Sequence, residues 1–316
     1  MTATQPTLAG RDLISIADLT PQEVTAILDL TAEVKANPAK CRTALAGRHV
    51  ALFFEKPSLR TRLTFEVGVA KMGGTTSFVD QRGSRIDERE SLYDMAHNLE
   101  RWVDAIVLRT FAHATVTGIA EHASVPVINA LTDHEHPCQA LADYFTLREK
   151  FGDLRKIRLA WVGDGNNVAH SLMLTAAALG SAITVATPDG YEPDKQVVAT
   201  AQALAAKTGA KVELTSDPVR AVSGADAVYT DVWASMGQET ETAARARIFA
   251  PFQVNERLFS LAAPHAAFMH CLPAHRGSEV TDAVIDSPRS VVFDEAENRM
   301  HVQKAILLML LGGAGS

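Results

Sequence analysis

"HVALFFEKPSLRTRLTFEVG", residues 49–68, reads as strand, turn and helix in immediate succession. After His49 the run to Phe54 is wholly apolar, the pattern of a strand buried on both faces. Pro57 stiffens the turn, and helical spacing from residue 61 continues to a stop at Gly73-Gly74. A helix N-terminus presents unsatisfied N–H groups and partial positive charge, so it receives anions. Ser58 and Thr61 add hydroxyl donors there, and Arg60 adds a planar fork suited to phosphate. The same residues also fit an N-cap serine followed by solvated arginines. Taken alone, the stretch points to phosphate or carboxylate.

The alternation repeats along the chain. Strands are predicted at "TTSFVD", "DAIVLRT", "VPVINAL", "IRLAWVGD", "AITVATP", "KVELTS", "DAVYTDVW", "AAFMHCL" and "SVVFDEA". Helices are predicted over 61–72, 91–103, 137–150, 167–179, 194–208 and 295–311. This order specifies an α/β protein of mostly parallel sheets flanked by helices. At 316 residues the chain exceeds one compact core. The charged stretch in "LREKFGDLRKIRLAWVGD" marks the expected boundary near residue 150, with helices joining the two domains.

A net charge of −7 and a pI near 5.9 argue against a broad nucleic-acid surface, so an anion site must be built locally. Cys41, Cys138 and Cys271 are too few and too scattered for a disulfide framework, which fits a reducing, cytoplasmic setting. "MTATQPTLAGRDLIS" lacks the features of a signal peptide, and "AILLMLLGGAG" is too short to span a bilayer. No membrane partner is expected.

Three further clusters carry chemistry. "TDHEHPCQALADY" (132–144) tempts with a zinc site, but the second thiolate of a Pro-Cys-x-x-Cys is absent and no metal is expected. His136 and Gln139 share a helix face instead; a plain polar helix start is the alternative. "LAWVGDGNNVAHSLM" (159–173) begins like a dinucleotide fingerprint, yet Val168 stands where the final glycine belongs. Asn166 and Asn167 are then free to turn their amides toward a polar ligand. "FMHCLPAHRGSEV" (268–280) places Cys271 among His270, His275 and Arg276, which stabilise a thiolate better than a buried apolar setting does. "DVWASMGQE" (231–239) adds Asp231 and a polar loop suited to closing over a ligand.

Together "SLRTR", "HPCQ", "DVWASMGQE" and "HCLP" resemble the ornithine carbamoyltransferases over nearly the whole chain. The first two motifs are shared with aspartate carbamoyltransferases; the last two are more discriminating. The resemblance implies carbamoyl transfer from carbamoyl phosphate to the δ-amine of L-ornithine in arginine biosynthesis, with no cofactor. It implies that Ser58, Leu59, Arg60, Thr61, Arg109, His136, Gln139, Cys271, Leu272 and Arg299 bind carbamoyl phosphate. Within that set Arg60, Arg109, His136 and Cys271 are the implied catalytic groups. Asn167, Asp231, Ser235 and Met236 are the implied ornithine binders. Residues 1–150 then form the carbamoyl phosphate domain and 151–290 the ornithine domain, with a helix over about 295–316 packing back on the first. The family assembles as a trimer or a multiple of trimers, and Arg85 stands near where a neighbouring subunit lends a residue. Leu59 replaces a threonine found in many members, which keeps the backbone contact and loses a hydroxyl. The rival readings are another amine acceptor, putrescine or an N-acylated ornithine, a nicotinamide-dependent oxidoreductase, and a non-catalytic anion-binding protein.

Overall fold

The structure, a computed structural model, describes residues 8–81, 86, 88, 90–234 and 242–312. Two compact units partition the chain: residues 1–145 with 298–316, and residues 146–297. The first contains α1 (Pro21–Ala36), β1 (His49–Phe54), α2 (Leu59–Ala70), β2 (Thr75–Asp80), α3 (Leu92–Leu99), β3 (Ala105–Arg109), α4 (His113–His122) and β4 (Val127–Leu131). Helix α5 (Pro137–Phe151) carries the chain into the second unit. There follow β5 (Arg158–Val162), α6 (Asn167–Leu179), β6 (Ala182–Ala186), α7 (Lys195–Thr208), β7 (Lys211–Thr215), α8 (Pro218–Val222) and β8 (Ala227–Tyr229). Then come α9 (Thr242–Phe249), α10 (Glu256–Phe259), β9 (Ala267–Met269), α11 (Asp282–Ile285) and α12 (Val292–Leu311). The expected α/β class is present. No described helix is long and apolar enough to cross a membrane.

Each unit has one wholly parallel sheet, in the order β2-β1-β3-β4 and β7-β6-β5-β8-β9 respectively. Strands β3, β4 and β8 are buried at every residue, which explains their uninterrupted apolar runs: both faces are covered and neither tolerates alternation. Strand order reverses between β1 and β3 in the first sheet and between β5 and β8 in the second. At such a switch point the loops leaving two neighbouring strands diverge, and a crevice opens at the carboxyl ends. The sequence clusters 55–61 and 163–167 leave β1 and β5, so topology brings both to switch points.

One strand assignment is corrected. "SVVFDEA" was expected to be extended, but only Ser290 bridges a strand residue, Phe268, and α12 begins at Val292. Valine's β propensity is a local preference of about 1 kcal/mol across the whole scale, and context overrides it. Here the context is a 20-residue helix with Asp294 and Glu295 in its first turn, where acidic groups complement the helix dipole. The start of α1 is a capping box: Thr20 Oγ1 accepts from Glu23 N–H (3.2 Å), and Glu23 Oε2 accepts from Thr20 N–H (2.8 Å).

Candidate active site

The seam that follows β1 gathers hydroxyl and guanidinium groups at a helix start. Ser58 caps α2, its Oγ accepting from Thr61 N–H at 3.1 Å, while its hydroxyl also donates to Thr61 Oγ1 (3.0 Å). Thr61 is wholly buried. Two guanidinium groups converge on that same oxygen: Arg109 Nη1 at 3.5 Å and Arg299 Nη2 at 2.5 Å. Arg109 ends β3, where the register against β4 shifts between Leu108 and Arg109, an irregularity of the kind that re-aims a side chain. Its Nε donates to Lys56 O (3.2 Å), which fixes the plane of the fork. Arg299 comes from α12, in the part that belongs to this unit. Leu59, by contrast, is exposed and brings only backbone to the helix start.

Three cationic side chains, Arg299, Arg109 and Lys56, act on His136. Burial lowers its pKa well below the ordinary value of 6.5, and the neighbouring charges of Arg299, Arg109 and Lys56 push it further down. The imidazole is therefore neutral at physiological pH and keeps one N–H to donate, the form suited to polarising a carbonyl without adding charge. Lys56 is buried, pairs with Asp133 and lies over the Phe111 ring at 4.6 Å. Gln139 Nε2 donates to Asp143 Oδ1 (2.8 Å), which fixes the amide orientation. Its buried Oε1 has no hydrogen-bond partner among the described residues. A buried acceptor of this kind is the sort that a ligand satisfies.

The His136 shift has a consequence for stability. The unfolded chain protonates this residue near pH 6.5, whereas the folded chain does so only well below that. Its contribution to stability is therefore intact above about pH 6.5 and is lost as pH falls toward the folded pKa. Between about pH 7.5 and pH 5 the parent should lose more unfolding free energy than His136→Gln. Paired urea titrations at the two pH values check this, and equal losses in both proteins would contradict the assignment.

In the second unit the β5–β8 switch point joins Asn166 to Asp231. Asn166 caps α6, accepting from Val168 and Ala169 N–H, and its Nδ2 donates to Asp231 Oδ2 at 2.9 Å. Asp231 Oδ1 accepts from Val232 N–H (2.8 Å) and from the Cys271 thiol (3.1 Å). Cys271 follows β9 and is half-buried. Leu272 takes a left-handed φ of 56°, unfavourable for a branched side chain, and its N–H is held by His270 Nδ1 at 2.9 Å. That bond leaves the ring proton on Nε2, which donates to Glu279 Oε1 (3.2 Å). Donor atoms of Asp231, His270 and Cys271 lie within 4.8 Å of one another, but His270 spends both nitrogens inside the protein, so the trio is poor as a metal site.

The glycine turn before α6 is not shaped for a pyrophosphate. Gly165 N–H donates to Tyr191 O (2.9 Å), and a Cβ on Gly165 would lie 2.2 Å from Pro193 N. The chain's own backbone fills the space against which a dinucleotide would lie, and Asn166 already caps the first turn. Gly165 is therefore required by packing, which weighs against the oxidoreductase reading.

Of the residues singled out in the sequence, Ser58, Thr61, Arg109 and Arg299 make direct contact in the first unit. His136 and Gln139 stand at the start of α5, with Arg60 half-buried in α2. Asp231 and Cys271 are bonded in the second unit, and Asn167 opens α6. Ser235, Met236 and Arg85 lie outside the described residues. Sequence reasoning gave no role to Lys56, although its place before Pro57 at a strand end was a usable signal. It treated Asn166 and Asn167 alike as far as the residues went; only the cap geometry selects Asn166 as the partner of Asp231.

Comparisons with known proteins agree over both units. The family model "Aspartate/ornithine carbamoyltransferase, carbamoyl-P binding domain" matches residues 11–149, and "Aspartate/ornithine carbamoyltransferase, Asp/Orn binding domain" matches residues 155–310. An ornithine carbamoyltransferase of Pyrococcus abyssi is 52% identical over 308 residues, 97% of each chain. An anabolic ornithine carbamoyltransferase of Pyrococcus furiosus is 51% identical, over 97% of this chain and 98% of its own. The solved P. furiosus ornithine carbamoyltransferase superposes with a TM-score of 0.95 at 50% identity, covering 98% of this chain and all of that one. The Thermus thermophilus structure gives 0.86 at 48% identity, over 95% and 98%.

Proposed function

The chain belongs to the aspartate/ornithine carbamoyltransferase family, and from that premise we propose that it moves the carbamoyl group of carbamoyl phosphate to the δ-amine of L-ornithine, giving citrulline and phosphate. The observation that carries the phosphate half is the convergence of Arg109 and Arg299 on Thr61 Oγ1 beside the capped start of α2. Dianionic phosphate offers those donors more acceptors than one hydroxyl can, and the bidentate geometry of arginine suits it. In the proposed reaction Ser58, Arg60, Thr61 and Arg299 hold the phosphate, and the Leu59 backbone adds to them at the helix start. Arg109, Thr61 and neutral His136 stabilise charge developing on the carbamoyl oxygen. Gln139 Oε1 and the Leu272 backbone then accept from the carbamoyl nitrogen.

The acceptor half rests on Asp231. A carboxylate held by Asn166, Val232 N–H and Cys271 is fixed in orientation and suited to an α-ammonium, which favours ornithine over an N-acylated ornithine. Asn167, Ser235 and Met236 complete the amino-acid side by resemblance. The Cys271 proton points to Asp231, so its sulfur lone pairs receive an N–H of the incoming amine; no covalent bond to sulfur is invoked. The neutral amine attacks the carbamoyl carbon, the C–O bond to phosphate breaks, and the proton lost by the amine passes to the departing phosphate, which leaves as hydrogenphosphate. Carbamoyl phosphate is already activated, so positioning and electrostatics supply the rate and no cofactor enters. We assign a homotrimer or a multiple of trimers on the same resemblance, with Arg85 as the residue offered to a neighbouring subunit.

The test is product formation from carbamoyl phosphate with L-ornithine, putrescine, N-acetylornithine or L-aspartate in parallel. Citrulline from ornithine alone is the expected result. Turnover with another amine alone would retain the phosphate half and overturn the acceptor half, and turnover with none would overturn the reaction.

A further inference from the structure

Glu55 ends the β1 seam and has no part in the chemistry above, yet the residue is only 5% exposed. Two backbone amides hold it: Ile86 N–H donates to Oε1 and Phe111 N–H to Oε2, each at 2.9 Å. Ile86 lies beyond β2, and its side chain packs in the core that contains Phe53, Met95, Leu99 and Ile106. Phe111 lies two residues beyond Arg109. The backbone of the same seam grips Arg109 as well, since Glu55 N–H donates to Arg109 O (2.8 Å) and Lys56 O accepts from Arg109 Nε (3.2 Å). One carboxylate thus ties together the chain leaving three adjacent strands, β2, β1 and β3.

We propose that Glu55 is a positioning residue for the anion pocket: it staples the chain beyond β2 and β3 to the end of β1 and so holds Arg109 at Thr61. The inference rests on the phosphate-binding reading of that pocket. The chemistry calls for a carboxylate, because both oxygens accept from N–H groups. A glutamine has the same shape but one acceptor, and its NH2 would face one of the two amides, leaving a buried donor unsatisfied.

The experiment uses the full chain and its Glu55→Gln variant, with Glu55→Asp as the second variant should Gln fail to fold. Inorganic phosphate affinity is read by calorimetry, and KM is measured for both substrates. Phosphate affinity should fall about ten-fold or more, and KM for carbamoyl phosphate should rise in parallel, as expected when one buried charge-assisted hydrogen bond is lost. KM for ornithine should stay within about two-fold. A merely structural role would lower the melting temperature and leave the phosphate affinity of the folded fraction unchanged, and that result would overturn the proposal. A parent that binds phosphate but forms no citrulline would refute the reaction while leaving the Glu55 comparison valid. A parent that binds no phosphate would remove the pocket and this inference together.

Discussion

Arg109→Lys is expected to lower kcat/KM for carbamoyl phosphate by about 100- to 1,000-fold, the cost of disrupting a buried, hydrogen-bonded charge. The substitution keeps the charge, so net electrostatics cannot account for the loss. It removes the fork: Nε on Lys56 O and Nη1 on Thr61 Oγ1 are two directions that one ammonium cannot serve from the same place. Lysine's compact charge is also more strongly hydrated, and burying it at the end of β3 costs more than burying guanidinium. The change should fall on the carbamoyl phosphate side, with KM for ornithine altered by about two-fold or less. Steady-state kinetics with each substrate varied in turn decide the matter. Activity within about five-fold of the parent would mean that Arg109 serves the fold rather than the reaction.

Asp231→Asn should produce the complementary loss, about 30- to 1,000-fold in kcat/KM for ornithine, from the removal of one charge and its hydrogen bonds. The arrangement around Asp231 leaves the amide no good orientation. With its NH2 toward Asn166 it meets another NH2; turned over, it meets Val232 N–H and the Cys271 thiol. Either way buried donors face one another. Inorganic phosphate binding should be unchanged, because every group of the first pocket remains. If calorimetry shows phosphate affinity falling along with ornithine turnover, the division of labour between the two units is wrong.

The two variants also separate what was legible in the sequence from what was not. Ser58 to Thr61 could be read as an anion cradle because a buried strand, a proline turn and a helix start are adjacent in the chain, and each is a local signal. Arg299 could not be found that way. It meets Thr61 across 238 residues of sequence, and only resemblance to a family singled it out beforehand. The glycine turn misled in the opposite sense. Gly163-Asp164-Gly165 imitates a nucleotide loop, and only the approach of residues 191–193 shows that Gly165 makes room for the protein's own backbone. "SVVFDEA" failed for a related reason: a short valine pair reports its own preference, whereas the helix that absorbs it is set by the next 15 or so residues and what they bury.

By itself the sequence determined a parallel α/β chain with hydroxyl and arginine side chains at one helix start, because strand and helix periodicities are written in neighbouring residues. Tertiary structure alone decided that Arg109 and Arg299 share one hydroxyl and that Asn166 and Cys271 share one carboxylate. It alone decided that His136 stays neutral. Convergence, burial and charge coupling depend on which distant segments pack together, and no local spacing encodes that.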